Sequence, residues 1–197
     1  PATGGGNTLT CCCPGSDLVV DLTTGVTNTD PPDSIAPGFF DDTWRAKACD
    51  PPDPNAVPGP GVVVVDPDLA WSTLPPSQWI SSNYAGSDGR YCYETCFCVY
   101  DGFQNPAQLT FNILAADDAF LLVRNSLGAA GILPYPAPNP STPTSFAGNV
   151  DLAPGENCIE VVVQNTGGPP TGFAMTGKLT AQNAQCCPCP LNDPTPN

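Results

Sequence analysis

The sequence predicts an all-β chain, an antiparallel β-sandwich with extended N- and C-terminal arms. Three observations carry this. Short runs of β-branched and aromatic residues recur between turn residues. The 26 prolines and 19 glycines among 197 residues leave no room for a helix of normal length. Residues 90–99 alternate with a period of two, so that Tyr91, Tyr93, Thr95, Phe97 and Val99 share one face and Cys92, Glu94, Cys96 and Cys98 the other.

Each element follows in order. Residues 1–16 form a Gly/Thr-rich arm carrying Cys11, Cys12 and Cys13. The sandwich is expected over 17–181. Its strands are read at 17–24, 43–48 and 62–65, then at 90–99, 108–114 and 119–124, and last at 146–152, 158–164 and 172–181. Pro-rich connections at 28–38, 50–61 and 134–143 separate some of them. Residues 182–197 form a Pro-rich tail carrying Cys186, Cys187 and Cys189, and residues 188–197 of it are expected to lack regular structure. In 158–164, Ile159, Val161 and Val163 face one way, and Cys158, Glu160 and Val162 the other. Tyr91, Tyr93, Phe97, Ile159, Val161 and Val163 are the expected inward set.

Charge excludes several functions. Five Lys and Arg against 19 Asp and Glu give a net charge of −14. The bases are scattered, so no nucleic-acid footprint exists. No apolar run reaches the roughly 18 residues that a membrane-spanning helix needs. With no histidine, a nucleophile–histidine pair cannot be built, and no catalytic residue is assigned. The first residue is Pro1 and the only methionine is Met175, which reads as a processed product or a fragment.

Cysteine is the unusual ingredient. The chain has 11: the two terminal clusters, and Cys49, Cys92, Cys96, Cys98 and Cys158 between them. Such density fits an oxidising compartment outside the cytosol, extracellular or at a cell surface. Cysteines at i and i+2 of one strand have poor disulfide geometry, so Cys96 and Cys98 should each bond elsewhere. An odd count leaves one thiol for a partner outside the chain if every thiol oxidises. Zinc on the Cys186–Cys189 spacing is disfavoured by the missing histidines and the secreted setting. Asp66, Asp68, Asp117 and Asp118 are the candidate ligands of a structural calcium, and no other cofactor is expected. Trp44, Trp71 and Tyr84 are candidate sugar-stacking rings, while Trp79 reads as core.

Residues 40–181 also carry a set of motifs. They are Gln78-Trp79-Ile80-Ser81, then Gly89-Arg90-Tyr91-Cys92-Tyr93-Glu94-Thr95-Cys96-Phe97, then Ala115 to Asn125, and Pro154-Gly155-Glu156-Asn157 leading into Ile159–Asn165. This set resembles the galactose-binding-like jelly-roll domain of secreted bacterial proteins. Ser126 departs from that pattern, which has glycine there, and the cysteines are an addition to it. The resemblance implies a jelly roll in which the strand carrying Cys158 lies beside the strand carrying Cys92 and Cys96. Cys158 could then pair with either. The terminal arms are similar in logic to those of disulfide-linked bacterial endospore appendages. Two functions follow as expectations. The first is an extracellular structural subunit that polymerises with copies of itself into a disulfide-cross-linked filament or surface layer, with Cys11–Cys13 as the intersubunit donor. The second is a secreted carbohydrate-binding module stapled by internal disulfides.

Overall fold

The computed structural model describes residues 10–12, 17–27, 29, 32–49, 62–67, 70–134, 136–184 and 186–188. Among them there is no helix. The strands are β1 Thr10–Cys12, β2 Leu18–Asp21, β3 Arg45–Lys47, β4 Val63–Val64, β5 Ile80–Ser81, β6 Gly89–Val99 and β7 Gln104–Ala115. They continue with β8 Asp118–Asn125, β9 Gly128–Ile132, β10 Thr144–Val150, β11 Gly155–Asn165, β12 Phe173–Gln182 and β13 Cys186–Pro188.

Every strand pairing is antiparallel, and two sheets face each other. One runs β10-β7-β12-β5-β4, with β2 also on β12. The other runs β3-β6-β11-β8-β9. The fold is thus the expected β-sandwich of jelly-roll type.

The core comes from strand alternation. Tyr91, Tyr93, Ile159, Val161 and Val163 are buried from one sheet, and Leu109, Phe111, Ile113, Phe173, Met175 and Leu179 from the other. Phe97, also expected inside, is only partly buried against this core. Phe173 sits at the centre, 5.3 Å from the Trp44 ring edge-on and 4.9 Å from the Tyr93 ring. Rings at such distances and tilts add about 0.5–1.5 kcal/mol beyond area burial.

The Pro154-Gly155-Glu156-Asn157 motif has a structural role. Asn157 is fully buried. Its Oδ1 accepts from Ala153 N, and its Nδ2 donates to the Ala153 and Gly155 carbonyls. Gly155 adopts φ +90°, which a side chain would resist. The amide of Asn157 therefore locks the turn that launches β11.

Several strands lie outside the sequence reading. β13 pairs with β1, opposing Cys11 to Cys187 and Cys12 to Cys186; of residues 188–197, where no regular structure was expected, only Pro188 at the end of β13 is described. The N-terminal arm thus meets the tail of its own chain. β9 was not anticipated, because Gly128-Ala129-Ala130-Gly131 has no β-branched or aromatic residue to mark it. The face carrying Cys92 was expected to point outward and receive partners, and there Cys92 receives Cys49, whose bridge leaves it 1% exposed.

Candidate functional site

The alternation that buries Leu109, Phe111 and Ile113 turns their neighbours outward. Three rows of small polar groups result across the outer face of the six-stranded sheet. Register places Asn149, Gln108, Thr180 and Val19 in the first row. Ala147, Thr110, Lys178 and Asp21 form the second, and Ser145, Asn112 and Thr176 the third. Val19, the second row and the third line an open groove of about 700 Å³, completed by Phe111, Phe146 and Gly177 between them. A second hollow of about 420 Å³ continues it past Gln108 and Thr180 to Gln104, Gln182 and Asp17.

The next row changes character. Leu114 and Ala174 lie under the Trp79 ring, with Trp71, Leu74 and Val65 packed against them. Trp71 packs on Trp79 with ring centroids 4.1 Å apart and planes tilted by 34°, and Tyr84 meets Trp71 edge-on at 6.1 Å. Trp79 is itself fixed, because its Nε1 donates to Ser72 O at 2.9 Å. Ser72 in turn donates from N to Pro140 O and from Oγ to Ser141 O. Trp71 and Tyr84 remain half-exposed. Rows on a strand lie about 7 Å apart, so the aromatic group stands one row beyond Asn112 and Thr176. The result is a groove whose polar side chains stand over a largely apolar lining that includes Val19, Phe111, Phe146 and Ala147, with the aromatic group one row beyond it.

Within the groove, Ser145 Oγ and Asn112 Oδ1 are 2.5 Å apart, and Asp21 Oδ1 accepts from Thr23 N at 2.9 Å. Lys178 supplies the one cation, since Arg45, Lys47, Arg90 and Arg124 all belong to strands of the other sheet. Amide, hydroxyl, carboxylate and ammonium groups thus line one groove. They can donate to and accept from a polyhydroxylated ligand without a catalytic group.

Of the expected sugar-stacking rings, Trp71 and Tyr84 are brought together here and Trp44 is not. Trp44 is 3% exposed, with Nε1 donating to Leu22 O, so no ring face is left for a ligand. Its burial follows from the preceding turn. Asp41 accepts backbone N–H groups from Gly25 at 2.6 Å, Thr43 at 2.8 Å and Trp44 at 2.6 Å. That clamp aims the indole inward. Burial holds the Asp41 carboxyl above its ordinary range, although the three N–H groups work the other way.

The calcium candidates do not converge. Asp117, at φ 67°, uses Oδ2 to accept from Thr166 N, Thr166 Oγ1 and Gly167 N, and Asp118 Oδ1 accepts from Ala119 N. These carboxylates close turns. Asp66 is exposed, and Asp68 lies outside the described residues. Among the described residues one potential ligand group appears, Glu94 with Cys96 and Cys158. Its two sulfurs are joined as a disulfide, so neither is a thiolate ligand.

The body cysteines converge on the outer face of the five-stranded sheet. Cys49 pairs with Cys92, and Cys96 with Cys158, one of the two partners left open by the sequence. Cys98 is half-buried on the same strand. Beside the bridges, Glu160 is 1% exposed, with Lys47 Nζ at 3.2 Å and Arg124 Nε in contact. Glu94 takes Arg45 Nε at 3.0 Å and Lys47 Nζ at 3.4 Å. Cys11, Cys12, Cys186 and Cys187 are placed only by backbone register, and Cys13 and Cys189 lie outside the described residues.

The sequence matches no protein-family profile and no curated protein. Among solved structures the chain is similar to a mutant of CBM29-2, a family 29 carbohydrate-binding module, complexed with mannohexaose. The identity is 12%, covering 85% of this chain and 93% of that one, at a TM-score of 0.39. It is similar to another carbohydrate-binding module of family 29 at 10% identity, 85% and 90% coverage and a TM-score of 0.37. A third likeness is to an arabinose-bound α-L-arabinofuranosidase, MgGH51, at 14% identity. That match covers 71% of this chain and 23% of the other, with a TM-score of 0.40.

Proposed function

We propose that this protein is a secreted, non-catalytic glycan-binding module, stapled by internal disulfides. One observation carries the reading: the outward rows of the six-stranded sheet line a groove carrying amide, hydroxyl and ammonium groups, and the Trp71–Trp79 pair stands one row beyond it. Sugars need both elements, hydroxyl-bonding groups along their edges and an aromatic plane for their C–H faces. An elongated groove of this kind suits a chain of several pyranose rings. Asn112, Thr176, Ser145 and Lys178 would bond hydroxyls, with Trp71 and Tyr84 as the aromatic surface. Affinity electrophoresis and calorimetry against soluble mannans, glucans and xylans test this. The expected result is saturable binding that Trp71→Ala weakens about tenfold, equal to about 1.4 kcal/mol. Binding unchanged by Trp71→Ala and Asn112→Ala, or none to any of these polymers, overturns the reading.

A second reading, a subunit of a covalent assembly, is favoured by the pairing of β1 with β13. If β1 is exchanged between copies, the same ladder becomes a head-to-tail joint with cysteines already opposed. Non-reducing electrophoresis that shows ladders collapsing with reductant supports it. A monomer under both conditions ends it.

A further inference from the structure

The two bridges on the five-stranded sheet differ in their surroundings. Cys92 is buried at 1% exposure, whereas Cys96 and Cys158 are both half-exposed. Cys96 and Cys158 stand directly opposite each other on β6 and β11. Arg45 reaches over this bridge, with Nη2 3.2 Å from Cys96 Sγ. The next strand on the far side of Cys158 is β8, and register sets Arg124 across from Cys158 there.

We propose that Cys96–Cys158 is a thiol-exchange site at which Cys158 accepts an incoming thiol. Displacement at sulfur needs a nucleophile approaching along the S–S axis, opposite the leaving sulfur. For attack on Cys158 that approach lies on the β8 side, where Arg124 draws in an anionic thiolate. The incoming thiolate, its proton lost to solvent, forms a new S–S bond to Cys158 Sγ. The Cys96–Cys158 bond breaks, and its electron pair leaves on Cys96 Sγ as a thiolate. The incoming sulfur is oxidised to the disulfide level as Cys96 is reduced, so the incoming thiol is the only reductant required. Arg45 stabilises the departing Cys96 thiolate, and a better leaving group is expelled faster. The carboxylate of Glu94 lies within 4.8 Å of both sulfurs and opposes this, while its own bond to Arg45 Nε holds the guanidinium in place. Lys47 and Glu160 complete the neighbourhood, giving three cations against two carboxylates in a chain of net charge −14.

The test uses the oxidised full chain with glutathione, quenched at intervals by acid and alkylated for peptide mass spectrometry. The expected first product is glutathione on Cys158 with Cys96 alkylated, about tenfold ahead of any product from Cys49–Cys92. Arg45→Gln should slow that product several-fold, as should Arg124→Gln, and Glu94→Gln should speed it. Unchanged thermal midpoints show that these variants stay folded. A second arm incubates the concentrated chain without added thiol. A dimer linked through Cys158 identifies a second copy as the thiol source, and an adduct formed only with glutathione identifies a small thiol. First capture on Cys96, simultaneous opening of both bridges, or an Arg45→Gln rate equal to that of the parent overturns the proposal.

Discussion

The outward faces of the two sheets arise from the same alternation and end in opposite states. On the six-stranded sheet the outward positions of the groove are Asn, Gln, Ser and Thr, with Lys178, Asp21, Val19 and Ala147, and they stay open along it. On the five-stranded sheet they are cysteines and charges, and they close on each other. Glu160 and Val162 are as buried as core residues even though they point away from the core. The difference separates two uses of a surface. Cross-links and paired charges stiffen one side of the sandwich, and the unlinked polar side is free to meet a ligand.

That comparison breaks most visibly in the cystines. A chain-entropy treatment gives each bridge, with sequence separations of 43 and 62, about 4 kcal/mol. Replacing all four cysteines by alanine should therefore lower the unfolding free energy by several kcal/mol, read from urea midpoints under matched redox conditions. An equal number of alanine changes in the groove should cost within about 0.5 kcal/mol each, because those positions are solvent-facing. A groove set that proves as costly as the cystine set would show that the open face is structural too.

Asp41→Ala should come next, at about 2–3 kcal/mol, because three backbone N–H groups lose their acceptor and two of those bonds are fully buried. Its pH dependence has a definite sign. Burial raises the folded-state value above 3.8, so the native chain holds this proton more tightly than the unfolded chain does. The contribution to stability is then fully present below pH 3.8 and declines as pH rises through the folded value. Asp41→Asn should flatten that part of the stability profile, as seen in urea midpoints taken across it.

A smaller effect sharpens the groove itself. Lys178→Ala should weaken neutral glycans by about two- to tenfold, since one hydrogen bond to a ligand nets about 0.5–1.5 kcal/mol. The same change should weaken a uronic-acid polymer more than a neutral one, and calorimetry on the two ligands reads the ratio. Neither ligand should respond to Arg45→Gln, which lies on the other sheet.

Much of the inward set was legible in the sequence. Tyr91, Tyr93, Ile159, Val161 and Val163 are all at most 1% exposed, because a period of two commits each residue to a face wherever one face is buried. The Pro154–Asn157 motif that leads into β11 was equally legible, whereas Asp117, offered as a calcium ligand, instead accepts from Thr166 and Gly167 across a turn. Short strands such as β5, with two residues, and the glycine-alanine strand β9 carried no such signal.

What the sequence by itself determined is therefore the set of elements, the face each side chain takes, and an oxidised, acidic, all-β chain without the residues for histidine-based catalysis. What only the tertiary structure decided is which outward face is covered. Trp44 went inside because the Asp41 clamp turned it there, and Trp71 stayed at the surface because Trp79 took the inner place beneath it. Cys158 met Cys96 rather than Cys92 because the register of β11 on β6 sets them opposite, while Cys49 arrived at Cys92 from 43 residues away. Period fixes direction along one strand, but coverage depends on residues brought from distant parts of the chain, and no local pattern encodes that meeting.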